Sequence, residues 1–357
     1  MASITTASSY ACTEEVESNL NTISVTMIDV DAWLHSSCSS TEFEILIQHL
    51  QPEEKARVLR FRLEIDKYRS LTGRILLRWM AHTTLNVPWS QLEFGRTEEN
   101  KPYLSSPRRG SFNLNVSHHG KWVAGACDHR ALVGVDVMRY ERPRGCKSIP
   151  AFFDTMRQYF TEYEWQDIEH TTKTTKEQKN CGESATDSDC GESCNSGNST
   201  STCSAQEMSQ LRQFYKHWAL KESYIKAVGI GLGFELSRAE FRYLNEDREA
   251  RNAVMYIDGV LQKQWSFTIH EPDPEHCVVV ALGPLAEATP HFLDMLTPNA
   301  TIAKGEDTDA MQNITSSIPL AFTTRAVNAL TVGTCITDDV LVHTVAKSAN
   351  ASHTCNA

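Results

Sequence analysis

The chain has 357 residues, 41% of them hydrophobic, and a formal net charge of -11. That balance excludes a general nucleic-acid binder, which needs clustered Lys and Arg, but allows one small phosphate ligand in a local basic patch. No apolar run approaches the roughly 20 residues that span a bilayer, and the eleven Cys are an odd number in a chain too long for a disulfide-stapled miniprotein.

Residues 1–20 read as a disordered leader. Glu14, Glu15 and Glu17 come early, with no apolar core and no Arg, so neither a signal nor a transit peptide is expected. The chain is therefore placed in the cytosol, without a membrane segment. Thr22 to Val30 alternates as a strand does. Glu42 to Leu50 and Glu53 to Leu85 carry apolar residues at helical spacing. Phe112 to Ser117 is a strand that ends in a polar turn. Trp122 to Cys127 and Ala131 to Val137 read as a hairpin pair around Asp128-His129.

Ile149 to Tyr159 is expected to be helical, and the Thr161…Glu164 spacing fits a capping box that opens another helix. Residues 170–206 are Ser, Thr, Gly, Asn, Cys and acid, a composition that cannot bury a core and reads as a disordered insert. Cys181, Cys190, Cys194 and Cys203 fall there, at gaps that match no common zinc-ligand spacing. Leu211 to Val228 is a long helix. Ala253 to Val260 and Gln264 to His270 are strands joined at Asp258-Gly259, a hairpin signal, and Cys277 to Leu282 is a buried strand. Residues 285–357 read as a mostly disordered tail, with a weak amphipathic element over Ala321 to Val345.

Each half thus runs strand, helix, then more strands. The expected fold class is α/β (α+β), with two similar lobes over 21–133 and 134–284 and a ligand at their junction.

Four segments carry candidate chemistry. Trp218-Ala219-Leu220-Lys221-Glu222-Ser223-Tyr224-Ile225-Lys226 places Glu222 and Lys226 one helical turn apart. Such a pair either sits on a solvated face or holds a metal ion and a phosphate side by side. Trp218, Tyr224, Ile225 and Val228 make its surroundings unusually apolar for a surface pair. Gly134-Val135-Asp136-Val137 sets an acid within an apolar strand, where it needs a partner or a metal. Asn115-Val116-Ser117-His118-His119-Gly120 is either a plain turn or a set of hydrogen-bond donors for phosphate. Arg96 and Lys101 flank a loop able to grip a nucleotide phosphate, opposed by Glu98 and Glu99; Arg57 adds a further cation.

Taken in order, Arg57, Arg96…Lys101-Pro102, Asn115-Val116-Ser117-His118, Gly134-Val135-Asp136 and Trp218-x-x-Lys221-Glu222-x-x-x-Lys226 resemble the 4′-phosphopantetheinyl transferases over about Ile23 to Gly283. The resemblance implies two α/β lobes with coenzyme A between them. The reaction it implies moves the phosphopantetheine arm onto a serine of a carrier protein and releases adenosine 3′,5′-bisphosphate. Asp136 and Glu222 would coordinate Mg²⁺, with Glu222 also the general base, and Lys226 would contact the attacked phosphate. Lys221, Ser117 and His118 would serve the phosphates, and Arg57, Arg96 and Lys101 the nucleotide end. Some members carry a third metal-binding acid two residues after the signature Asp. That position is Met138 here, so a water or a neighbour such as His119 must substitute. The implied partners are apo acyl carrier proteins or carrier domains of fatty-acid synthase or lysine-metabolism reductase type. Phe152, Phe153 and Met156 are docking candidates, with core packing the plainer reading. A complete site in one chain implies a monomer.

Overall fold

The computed structural model describes residues 23–108, 110–169, 203–244, 252–296 and 320–325. The first lobe runs β1 (Ile23–Asp29), α1 (Val30–Leu34), α2 (Ser39–Leu46), α3 (Pro52–Leu59), α4 (Glu64–Leu85), β2 (Glu93–Arg96), β3 (Pro102–Ser106), β4 (Asn113–His119) and β5 (Trp122–Asp128). The helical run expected from Glu53 to Leu85 is broken. Leu63 is extended (φ -87°, ψ 135°), and the acidic Glu64 and Asp66 open α4 at its positive end. Leu59, Phe61 and Leu63 recur at a spacing of two, outside the helical phase, and all three are exposed.

The second lobe runs β6 (Leu132–Arg139), α5 (Ile149–Met156), α6 (Glu162–Glu169), α7 (Ala205–Val228), β7 (Ala239–Tyr243), β8 (Asn252–Ile257), β9 (Val260–Leu261), β10 (Ser266–Asp273), β11 (His276–Gly283) and α8 (Pro290–Leu296). Its sheet has the order β6-β11-β10-β8-β7, with β9 on β8. Both residues of the Asp258-Gly259 turn have positive φ (51° and 80°), as a two-residue hairpin requires. That turn joins β8 to the short β9, and β10 continues the pairing at the start of β8 on the same side, opposite β7. The capping box at α6 forms: Thr161 N–H donates to Glu164 Oε2 (2.9 Å), and Glu164 N–H donates to Thr161 Oγ1 (3.4 Å).

The first lobe's sheet has the order β12-β1-β5-β4, where β12 (Leu320–Arg325) lies parallel to β1. Among the described residues beyond 287, the chain forms α8 and β12, within the span expected to be mostly disordered. Phe292 and Leu296 of α8 are buried in the second lobe's core, and β12 extends the first lobe's sheet. Residues 205 and 206, expected to belong to the insert, open α7 instead. Residues 1–20, 170–202 and 326–345 lie outside the described residues, as do Cys181, Cys190 and Cys194.

Three apolar clusters hold the fold together. Leu71, Ile75 and Leu76 of α4 pack on Leu114 and Val123. Phe214 and Leu220 of α7 pack on Phe267 and Val279. The third cluster joins the lobes, setting Ile23, Val25 and Met27 of β1 against Val133, Val135 and Val137 of β6 and Val278 and Val280 of β11. Full burial of each such side chain contributes about 1.5–3 kcal/mol.

The expected hairpin between β5 and β6 does not form. Strand β5 pairs β4 and β1, whereas β6 pairs β11. Asp128 turns the chain by accepting from the N–H groups of Arg130 and Ala131, and β6 then enters the other sheet. On its free side β6 meets the side chains of β4. The N–H groups of Val133, Val135, Val137 and Arg139 donate in turn to Asn113 Oδ1, Asn115 Oδ1, Ser117 Oγ and His119 Nδ1, at 2.8–3.3 Å. A ladder of side chains thus replaces the backbone ladder at the seam between lobes.

Candidate active site

The site begins with how closely α7 approaches β6. Ser204 caps α7, accepting from Glu207 N–H (3.1 Å) while Glu207 accepts from Ser204 N–H (2.9 Å). Gly229 ends the helix in the left-handed region at φ 78°. Between the caps, a Cβ at Gly134 would stand 1.8 Å from the Ser223 carbonyl oxygen and 2.6 Å from Ala227 N. Only glycine at 134 permits that contact. Asp136 lies two residues along β6 on the same face, and so comes beside Glu222 and Lys226.

Asp136 is buried, at 3% exposure. Its Oδ1 receives Lys226 Nζ at 2.5 Å and Ser117 Oγ at 3.0 Å. Its Oδ2 is buried with no hydrogen-bond partner, a costly state for a carboxylate oxygen. Ser117 is the hub of the group. It donates to Asp136 and accepts from Val137 N–H (3.3 Å) and Lys226 Nζ (3.0 Å). Burial pushes the Glu222 carboxyl up; Lys226 opposes the shift and the nearby Asp136 adds to it.

An orphaned carboxylate oxygen with a second carboxylate beside it fits a hard cation. Among the described residues no group of three or more His, Cys, Asp or Glu suits a metal. Mg²⁺ needs no such group, because it retains waters and takes substrate phosphates alongside one or two carboxylates.

From Lys226 a cleft of about 390 Å³ runs between the lobes, walled by α4, the β2–β3 loop, β4 and the end of α7. Arg69, Arg74, Arg96 and Lys226 line it, together with His118 and Asn100. Burial pushes Arg74 down to about 10; Arg96 and Arg57 add to this, and Glu54 offsets part of it. So many cations at close quarters mark a place that an anion would relieve.

Several expected site residues lie elsewhere or face differently. Lys221 is fully buried away from the cleft, with Nζ 2.8 Å from Glu164 Oε2. Lys101 lines the cleft with its stem, but its ammonium turns inward to the carbonyls of Val133 (3.3 Å) and Lys226. Ser117 faces Asp136 across the seam, and His118, the next residue along β4, faces the cleft. Arg57 is exposed and close enough to act on both Arg74 and Arg96. His119 does not replace the missing acid at Met138: its Nδ1 accepts from Arg139 N–H (2.9 Å) and its Nε2 faces Glu141 at 3.7 Å. Met138 packs against the second lobe's core, as do Phe152, Phe153 and Met156, so core packing is the reading that holds for those three.

Sequence reasoning missed Arg69 and Arg74. The signal was present in α4, where Arg69, Ser70, Gly73, Arg74 and Leu77 fall on one helical face and together line the cleft.

Comparison with known proteins places the chain in a family. Residues 33–130 match the N-terminal family of 4′-phosphopantetheinyl transferases, and residues 190–281 match the 4′-phosphopantetheinyl transferase superfamily. The chain is 40% identical over 233 residues to a phosphopantetheinyl transferase of Thraustochytrium sp., covering 65% of this chain and 70% of that protein. It is 34% and 35% identical over 251 residues to the L-aminoadipate-semialdehyde dehydrogenase-phosphopantetheinyl transferases of Mus musculus and Homo sapiens, covering 68% of this chain and 70% of each. The chain therefore belongs to the 4′-phosphopantetheinyl transferase family, whose members use coenzyme A and act on carrier protein domains.

Proposed function

We propose that this chain transfers the 4′-phosphopantetheine group of coenzyme A to a serine of apo acyl or peptidyl carrier proteins. The reaction requires Mg²⁺ and releases adenosine 3′,5′-bisphosphate, as in holo-[acyl-carrier-protein] synthases. The observation that carries this reading is the buried Asp136, with Oδ2 unpartnered, beside Glu222 and Lys226 at the head of a cationic cleft.

Asp136 and Glu222 would hold the Mg²⁺, which when bound supplies charge neutralisation on the leaving phosphate. Ser117 keeps Asp136 in one orientation by its hydrogen bond. Lys226 is 30% exposed on its side chain and exchanges its contact with Asp136 for one with the attacked phosphate. Glu222 takes the proton from the carrier serine, since burial raises its proton affinity. His118 and Arg69 wall the stretch for the pyrophosphate. Arg57, Arg74 and Arg96 take the nucleotide end with its 3′-phosphate, as fixed cations that position the reacting phosphorus.

The carrier substrates we assign are fatty-acid synthase domains and domains of aminoadipate-semialdehyde dehydrogenase type, the latter suggested by the names of the mammalian relatives; this would place the protein in lysine metabolism. Lobes of 21–133 and 134–284, to which β12 and α8 are added from the tail, would complete one site per chain, so a monomer is proposed. The proposed location is the cytosol; among the described residues no helix is long and apolar enough to cross a membrane. Calorimetry of coenzyme A binding tests the site itself. Binding is expected to tighten when Mg²⁺ is added to the wild-type protein, and not with Asp136→Asn. Equal binding by both proteins with and without the metal would remove Asp136 from the site.

A further inference from the structure

We propose that Lys221 is a positioning residue that fixes the rotation of α7 by pairing with Glu164, and that it makes no contact with substrate. The inference rests on the roles proposed for Glu222 and Lys226.

An ammonium has three N–H donors, and all three of Lys221 are spent inside the protein. One meets Glu164 Oε2 at 2.8 Å, one the Leu236 carbonyl at 3.0 Å, and one the Ala239 carbonyl. Both Lys221 and Glu164 have side chains at 0% exposure. The Lys221 Nζ sits 5.2 Å and 5.8 Å from the ring centroids of Phe160 and Phe241, which close the space around it. Glu164 is equally committed, accepting from Thr161 N–H at 2.9 Å and Phe241 N–H at 3.0 Å. No donor remains to reach the cleft.

Helix geometry gives this pair its consequence. Adjacent helical residues point about 100° apart, and residues five apart about 140° apart. Lys221 therefore anchors the side of α7 away from Lys226. On the other side Gly134 admits the Ser223 carbonyl into close contact. The helix is gripped from both sides, so its rotation, and with it the placement of Glu222 and Lys226 against Asp136, is fixed. A buried ion pair adds little net stability over apolar packing, but losing one partner leaves an uncompensated charge. The pair thus specifies geometry more than it stabilises.

The test compares Lys221→Met, Glu164→Gln, the double variant and Lys221→Arg for Tm, coenzyme A affinity, kcat and KM. Both single variants are expected to lose kcat on the order of tenfold to a hundredfold, the scale of a small misplacement of reacting groups. Coenzyme A affinity should change less than about threefold. The double variant, which leaves no lone charge, should regain most of the Tm and keep coenzyme A affinity but not the kcat, because the pair that fixes α7 is gone, and Lys221→Arg should keep a part of both Tm and kcat. If a single variant does not fold, the double variant carries the test, because removal of a substrate-contacting lysine would cost coenzyme A affinity there as well, whereas loss of a positioning pair lowers kcat alone. Two results would overturn the proposal. One is Lys221→Met with wild-type Tm and coenzyme A affinity lost tenfold or more, unrecovered in the double variant. The other is wild-type kcat in Glu164→Gln. Absence of transfer by the wild-type protein would instead sink the proposed function, so the two failures are distinct.

Discussion

Asp136, Ser117 and Lys226 share a single carboxylate oxygen, leaving the other oxygen of Asp136 without a partner. That asymmetry links the described structure to the proposed chemistry, since the bare oxygen is the one a cation would take. Lys101 makes a second residue-scale point. Burial, with Lys226 adding, pushes its ammonium down to about 7. The unfolded chain holds that proton up to about pH 10. Between pH 7 and pH 10 the unfolded state therefore binds more protons, and this residue's contribution to stability rises with pH. Below pH 7 the cost of the buried charge is fully present. Lys101→Met is expected to flatten that window: the difference in Tm between variant and wild type should shrink as pH rises from 7 to 10. A constant difference across the window would show that Lys101 keeps an ordinary proton affinity.

The contact between α7 and β6 governs the site at the scale of elements. Gly134→Ala drives a methyl into the Ser223 carbonyl, where only a shift of the helix relieves the clash. Overpacking of this kind costs about 1–3 kcal/mol, and here it also moves Glu222 and Lys226. We expect a lowered Tm together with lost transfer; a variant as active and stable as wild type would mean that α7 is free to slide. The elements themselves were largely legible in the sequence. The Thr161–Glu164 capping box, the Asp258-Gly259 turn and the period of α7 are local signals, and each appears where expected. Contacts between distant segments were not legible. Phe112 to Ser117 read as a strand and Asn115 to Gly120 as a polar turn after it, whereas the strand runs on to His119, because nothing local shows that β6 lies alongside to donate to Asn113, Asn115, Ser117 and His119. Lys221 was misplaced for a different reason. The resemblance implied a place for it at the phosphates, whereas the rotation per residue of a helix turns it away from Glu222 and Lys226 to Glu164.

For the whole molecule, an acidic chain presents a cationic cleft at the junction of its lobes. Coenzyme A binding should weaken as salt rises, because part of the attraction comes from exposed cations such as Arg57 and Arg96, whose field salt screens largely beyond about 10 Å at 0.1 M. Titration calorimetry over a range of NaCl concentrations should give a Kd that rises with salt; a flat response would place the ligand away from these residues. The most direct single measurement is the intact mass of an apo acyl carrier protein after incubation with this protein, coenzyme A and Mg²⁺. The expected result is a gain of one phosphopantetheine mass, absent without the metal and absent with a folded Glu222→Gln. A full gain with Glu222→Gln, or no gain from the wild-type protein on any carrier while coenzyme A still binds, would contradict the reaction assigned to this site.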